Sequence, residues 1–202
     1  MEKTVIFRDF EERDIGFIHR CKNDERLNSL VVGDYHPFSY EESANWVHGC
    51  MGEHETYKFW AIATNDEEKR IVGWISLSEI DKKNNSACYH GLVIFDPLHR
   101  DGSAEIEAYL MILEYSFEYL KLNRLYGTHL RNHLMTKMMA DVFFFVEEGY
   151  QRQALFKGGK YIDLVSVSIL ASEYFEHKSK FDYTYNSIMR RLIKEIKNNK
   201  KR

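Results

Sequence analysis

Apolar and polar positions alternate over residues 4–10, which are rich in β-forming side chains, and predict a first strand. The period then changes. Ile15, Ile18 and Cys21 fall at helical spacing and predict a helix over 12–27. An aromatic loop follows at 31–38, and Ser39 with Glu42 reads as a capping box, in which each side chain satisfies an orphan backbone donor. A helix is therefore expected from there to about residue 49, carrying Trp46. Three strand-like runs come next, 58–64, 71–80 and 87–95, separated by the polar turns 65–69 and 81–85, as in antiparallel hairpins. Ile106, Tyr109, Leu110, Leu113, Phe117 and Leu120 form one stripe and predict a long amphipathic helix over 102–120. A strand at 124–130, a helix at 134–144, and a hairpin of 150–157 and 160–170 about Gly158-Gly159 complete the pattern.

The order of strands and helices reads as α/β (mixed α+β), a mixed sheet flanked by helices. After Ala171 the composition shifts. Ile188, Met189, Leu192, Ile193 and Ile196 fall at i, i+1, i+4, i+5 and i+8, predicting a helix over 181–196 that buries this face. Its cover is either the domain's own sheet or a second copy in a two-fold homodimer. The expected organisation is a domain at 1–171 with a helical extension of the same domain at 172–202.

Composition narrows the function classes. The chain has 202 residues, 44% apolar and 29% charged, with a net charge of −3, which gives no general pull towards nucleic acid or anionic membrane. No apolar run approaches the roughly 20 residues of a membrane span. The N-terminus runs straight into a strand without a signal-peptide core, so a cytoplasmic protein is expected. Three widely spaced cysteines, Cys21, Cys50 and Cys88, form no CxxC pair, so neither a disulfide framework nor a cysteine metal site is expected.

The most informative stretch is a strand, then Asp96-Pro97-Leu98-His99-Arg100-Asp101-Gly102-Ser103-Ala104, then a long helix. A glycine at such a turn lets backbone N–H groups approach an anion, and the helix N-terminus adds a favourable dipole, as a diphosphate requires. Here the chain resembles the GNAT superfamily of N-acetyltransferases, in the branch with ribosomal-protein alanine N-acetyltransferases and spermidine N-acetyltransferase. That family's diphosphate loop is Gln/Arg-x-x-Gly-x-Gly/Ala. His99-x-x-Gly102-x-Ala104 resembles it, with His99 in place of Gln or Arg and Arg100 where glycine is usual. Leu122-Asn123-Arg124-Leu125, Glu148-Gly149-x-x-Arg152, Gly159-x-Tyr161-x-Asp163 and Ser168-Ile169-Leu170 continue the likeness, which spans roughly 5–170.

The resemblance implies a twisted, mostly antiparallel sheet flanked by helices and splayed between its fourth and fifth strands, with acetyl-CoA as cosubstrate and no metal. It assigns His99, Arg100, Asp101, Gly102, Ser103 and Ala104 to the diphosphate, Val93, Ile94 and Phe95 to pairing with pantetheine, and Asn132 to the pantetheine arm. Lys137 is a further candidate for a coenzyme phosphate. Tyr35, His36, Phe38 and Trp46 are expected to border the acceptor pocket. The tyrosine that many members place on the helix after strand five corresponds to Met139 or Ala140, and the strand-four glutamate to Cys88.

An ammonium must lose a proton before it attacks a thioester, so a base must lie within hydrogen-bond reach of it. Glu79 at the end of strand three and His90 on strand four are the candidates. The implied activity is direct acetyl transfer to a primary amine in a ternary complex. The acceptor is a small molecule such as an amino sugar or polyamine. The alternatives are a protein N-terminus, or a module that binds acyl-CoA without turnover. A pocket lined by carboxylates would favour a polyamine, an open groove a peptide.

Overall fold

The alternating segments assemble into one seven-stranded sheet, in order β1-β2-β3-β4-β5-β7-β6. The strands are β1 (Val5–Arg8), β2 (Lys58–Thr64), β3 (Ile71–Asp81), β4 (Ser86–Ile94), β5 (Arg124–Leu130), β6 (Val146–Lys157) and β7 (Lys160–Leu170). The computed structural model describes residues 3–33, 36–52 and 54–199. Every neighbouring pair is antiparallel except β4 and β5. That parallel pair holds over only three positions, Ser86–Arg124, Ala87–Leu125 and Cys88–Tyr126. Beyond them the strands part. The next residues along, Tyr89 and Gly127, show why: a Cβ on Gly127 would lie 2.6 Å from the Tyr89 ring. The buried ring occupies space that a second side chain would need, so it wedges the sheet open where the glycine lets it in.

Helices cover both faces. One core joins Ile62, Ile75, Leu77 and Leu125 of the sheet to Ile106, Ile112 and Leu113 of α4 (Ser103–Glu114) and Met138 of α5 (Leu134–Val142). A smaller core on the other face joins Ala61, Trp74 and Phe95 to Ile18 and Cys21 of α1 (Ile15–Lys22) and Val47 and Cys50 of α3 (Tyr40–Cys50). The buried Glu107 of α4 accepts from Thr4 N (2.8 Å), Thr4 Oγ1 (3.0 Å) and Val5 N (3.0 Å), tying the edge strand β1 to this helix.

Several elements differ from expectation. The helix expected over 12–27 is a 3-10 turn at Glu12–Asp14, then α1, then α2 (Glu25–Asn28). Asp24 breaks it by accepting from Leu27 N (3.0 Å), starting a new helix. α4 ends at Glu114 in a π-helical turn, Tyr115–Tyr119. β6 begins at Val146, four residues earlier than expected. A helix that the periodicity did not predict, α6 (Ala171–Ser179), precedes α7 (Tyr185–Asn199). On α7, Ile188 and Leu192 are buried and Met189 and Ile196 pack half-buried against the core, but Ile193 is 45% exposed. It lies one residue, about 100°, further round from Leu192, past the edge of the groove. That groove is formed by α4 and α5 rather than by the sheet.

Candidate active site

The splay exposes one edge of β4. Phe95 N–H donates to Val72 O at 2.9 Å, and Gly73 faces Ile94. Antiparallel partners alternate between hydrogen-bonded and non-bonded pairs. The N–H and C=O of Ile94 are therefore turned away from β3, towards the open side. The half-buried Val93 and buried Ile94 and Phe95 hold this edge in place, Phe95 stacking on Trp74 at 4.6 Å. The Arg100 guanidinium lies on it, donating from Nε to Ile94 O (3.1 Å) and from Nη2 to Phe95 O.

β4 leads into the loop through Asp96, which caps the 3-10 turn Pro97–His99 by accepting from Leu98 N (2.9 Å). Burial opposes the Asp96 charge, but hydrogen bonds from Arg70 and Leu98 outweigh it and hold its pKa below the usual carboxylate range. His99 Nδ1 is buried without a hydrogen bond, 3.7 Å from Asp96 Oδ2. Gly102 is the N-cap of α4 at φ +90°, a conformation that favours glycine. A Cβ there would meet only Leu192 of α7, at 3.8 Å, so the C-terminal helix backs the loop. Asp101 turns its carboxylate onto Ser103 N (2.9 Å) and Ser103 Oγ (2.5 Å), which lower its pKa. Ala104 is buried in the first turn of α4.

At the closed end of the splay, β3 carries an extra residue between the pairs Ser78–Cys88 and Asp81–Ser86. Glu79 lies in this bulge at φ +51°. Its carboxylate accepts from Tyr126 Oη at 2.6 Å. Burial first, and then this bond, raise the tyrosine pKa. His90 pairs with Ser76, next to a second irregularity at Trp74/Ser76, and Ser76 Oγ donates to His90 O at 3.3 Å. The His90 ring is exposed at the mouth of the splay. Even so, the protein around it withholds enough solvent to lower its pKa, against the pull of the nearby Glu79 charge. Cys88 is buried, and burial pushes its thiol up to about 12, so it is no thiolate at neutral pH. Beside these groups a cleft of about 480 Å³ is lined by Glu55, Glu79, Asp81, Lys82 and Tyr126 among others. Hydrogen bonds from Asn84 lower the pKa of Asp81, keeping it charged.

The aromatic segment lies on the α1–α3 side. Asn23 holds Phe38 by both backbone groups at 3.0 Å, and the exposed His36 stacks on Phe38 at 4.9 Å. Tyr35 falls outside the described residues. Trp46 is packed among Phe10, Phe59 and Trp74, a core position more than a pocket wall. The Lys22 ammonium sits 4.4 Å from the Trp46 ring centre, 5.3 Å from Phe38 and 5.5 Å from Trp74, and burial lowers its pKa.

Residues 4–141 match the model of the acetyltransferase (GNAT) domain family. The chain belongs to the GNAT acetyltransferases. It is 25% identical over 174 residues to a spermidine N(1)-acetyltransferase of Vibrio cholerae, covering 86% of this chain and 97% of the relative. The crystal structure of a Vibrio cholerae spermidine N-acetyltransferase in complex with CoA and spermine superposes with a TM-score of 0.74 at 24% identity, over 85% of this chain and 98% of that one. A GNAT-family acetyltransferase of Bacillus anthracis gives 0.71 at 21% identity, over 86% and 98%. These likenesses bear out the splayed GNAT sheet.

The remaining residues of the expected coenzyme set lie between β5 and α5 and on α5 itself. Asn132 is exposed after β5, and α5 is capped by His133, which accepts from Thr136 N (3.1 Å). Lys137 is held by Asp141 one turn on (2.8 Å), an exposed pair that raises its pKa. Met139 and Ala140 are 6% and 3% exposed and bring no hydroxyl. Sequence reasoning missed Tyr126. Its partner Glu79 lies 47 residues away along the chain, so no local pattern pointed to it. Among the described residues, no group of three or more His, Cys, Asp or Glu is placed to hold a metal ion. No described helix is long and apolar enough to cross a membrane.

Proposed function

We propose that this GNAT transfers an acetyl group from acetyl-CoA to a primary amine of a small polycation, a polyamine, by direct attack in a ternary complex. The observation that carries the acceptor class is the cleft bordered by Glu55, Glu79 and Asp81 against a single lysine, Lys82, beside Tyr126. Such a lining attracts a flexible chain of ammonium groups and disfavours a neutral sugar. A polyamine acceptor also agrees with the spermine complex of the Vibrio cholerae relative.

The residues present fit the coenzyme. Gly102 at positive φ leaves the start of α4 open to a diphosphate, and the Ile94 edge offers a donor and an acceptor to pantetheine amides. When bound, the coenzyme supplies the activated acetyl thioester. The chain's own part is positioning and proton transfer. Carboxylates of the cleft hold the distal ammoniums and bring the reacting nitrogen to the splay, where closeness supplies much of the rate. His90, kept neutral by its surroundings, takes the proton, with Glu79 as its charged neighbour. Met139 and Ala140 stand at the tyrosine register, so the chain brings no side-chain acid to the leaving group there. The domain at 1–171 carries this chemistry, and Leu192 of the C-terminal extension supports the diphosphate loop from behind Gly102. Acetyl-CoA meets the chain in the cytoplasm.

The test is a screen in which free thiol release from acetyl-CoA is followed with polyamines, amino sugars and peptides as acceptors. Polyamines should give the highest kcat/KM. A preference for peptides or sugars overturns the acceptor. CoA binding without turnover of any amine overturns catalysis.

A further inference from the structure

Arg100 departs from the loop motif, where glycine is usual, and its side chain does something that a glycine cannot. The half-buried guanidinium reaches back from the loop and donates to Ile94 O and Phe95 O. The Ile94 carbonyl is the acceptor on the open edge of β4, because the alternation of the β3–β4 ladder turns it towards the splay. A pantetheine chain paired with that edge presents amide N–H groups, donors of the same kind as the guanidinium N–H. The two therefore compete for one acceptor.

We propose that Arg100 is a displaceable cap on the pantetheine edge, and that its guanidinium passes to the coenzyme diphosphate when pantetheine takes the edge. Arg100 ends the 3-10 turn and lies two residues before Gly102, the N-cap of α4, so its backbone stays beside the loop whichever way its side chain turns. A guanidinium on carbonyls gains two hydrogen bonds. On a diphosphate the acceptor is charged as well as the donor, and such fork-like ion-paired bonds are stronger. The exchange favours a donor that carries a diphosphate and penalises a pantetheine thioester that lacks one. Arg100 is thus a specificity residue for CoA over shorter pantetheine carriers. This rests on the coenzyme reading above.

The experiment measures binding, by calorimetry and by NMR line broadening, of CoA, 4′-phosphopantetheine and pantetheine to the full chain and to R100A and R100K. Melting temperatures confirm that each variant is folded. R100A should bind pantetheine about three- to tenfold more tightly, since no cap has to leave. The same variant should bind CoA about ten- to a hundredfold more weakly, since the phosphate partner is gone. R100K, with a point charge that does not span two carbonyls, should gain pantetheine affinity while losing less for CoA than R100A does. The opposite signs are the signature. R100A weakening both ligands, or leaving pantetheine unchanged, overturns the cap. Wild-type protein that fails to bind CoA overturns the coenzyme site itself, a different failure from a wrong pattern in R100A.

Discussion

The tip of the β6–β7 hairpin holds the loop that leads into the aromatic segment through Lys157. Lys157 Nζ donates to Asn28 O (2.5 Å), Val31 O (2.7 Å) and Gly33 O (2.9 Å), more than 120 residues away in sequence. Lys157→Met keeps the stem and removes all three donors. A hydrogen bond to a charged group contributes about 1.5–3 kcal/mol at best. These are only partly buried, so water recovers much of that when the clamp is lost. A net loss of about 1.5–3 kcal/mol for the set is the working figure. Ordering each backbone residue costs about 1–2 kcal/mol, so over 28–33 the clamp is large enough to tip the loop between ordered and frayed. If acceptor binding needs the ordered loop, that loss raises KM for the amine acceptor about ten- to a hundredfold, at 1.4 kcal/mol per factor of ten. KM for acetyl-CoA and kcat should change little, because β4 and the 100–104 loop are not touched. Lys157→Arg, which still donates to carbonyls, should restore part of the acceptor KM. Hydrogen exchange of 28–33 should quicken in Lys157→Met. An unchanged acceptor KM, or an equal change in both KM values with a lowered Tm, would refute the reasoning.

Two further outcomes follow from the geometry of the splay. Gly127→Ala places a methyl 2.6 Å from the Tyr89 ring and should cost about 1–3 kcal/mol of overpacking, read as a lower Tm and weakened CoA binding. Adding Tyr89→Leu should recover the stability, and no recovery would mean that the wedge is misassigned. Burial lowers the His90 pKa from its ordinary 6.5, so the imidazole stays neutral at pH 7 and the acid limb of kcat/KM should lie below pH 6.5. By the same sign, protonation favours the unfolded chain, so this residue withdraws stability as pH falls below 6.5. His90→Gln should abolish the limb, and a profile that keeps it assigns the proton elsewhere.

What the sequence disclosed depended on how local the cause was. The strands and α4 follow from side-chain periodicity within ten or twenty residues, and so were legible. The capping box at Ser39 and Glu42 was readable for the same reason and is formed in full, with bonds of 3.1 and 2.7 Å. The break at Asp24 was less legible, since an aspartate on a helical pattern reads equally as an exposed residue and as a cap. The β4–β5 opening was reached through resemblance alone. Its physical cause, Tyr89 against Gly127, joins residues that no period connects. Glu79 was found as a strand-end carboxylate, but its partner Tyr126 was not, because the bulge that brings them together needs a positive φ that glutamate does not advertise. Arg100 read as a loop backbone donor, and only the fold shows where its side chain goes.

The acidic cleft creates a difficulty for the chemistry that the arrangement of groups answers. A carboxylate that holds an ammonium also stabilises its charge, raising its pKa and making the free amine harder to form. If Glu79 bound the reacting nitrogen directly, stronger binding would mean slower attack. Tyr126 moderates this by donating to Glu79 at 2.6 Å, which takes up part of the carboxylate's capacity to accept. Glu55 and Asp81 of the cleft lining are free of that conflict if they hold ammoniums that do not react. An acceptor with several ammoniums then separates the two demands: its distal charges supply the binding, and its reacting nitrogen meets a neutral imidazole. A monoamine has one nitrogen for both, so every gain in its binding at the carboxylates opposes its deprotonation. The proposed preference for a polycation then belongs to kcat as well as to KM, because distal binding leaves the attacking nitrogen where proton loss is least opposed.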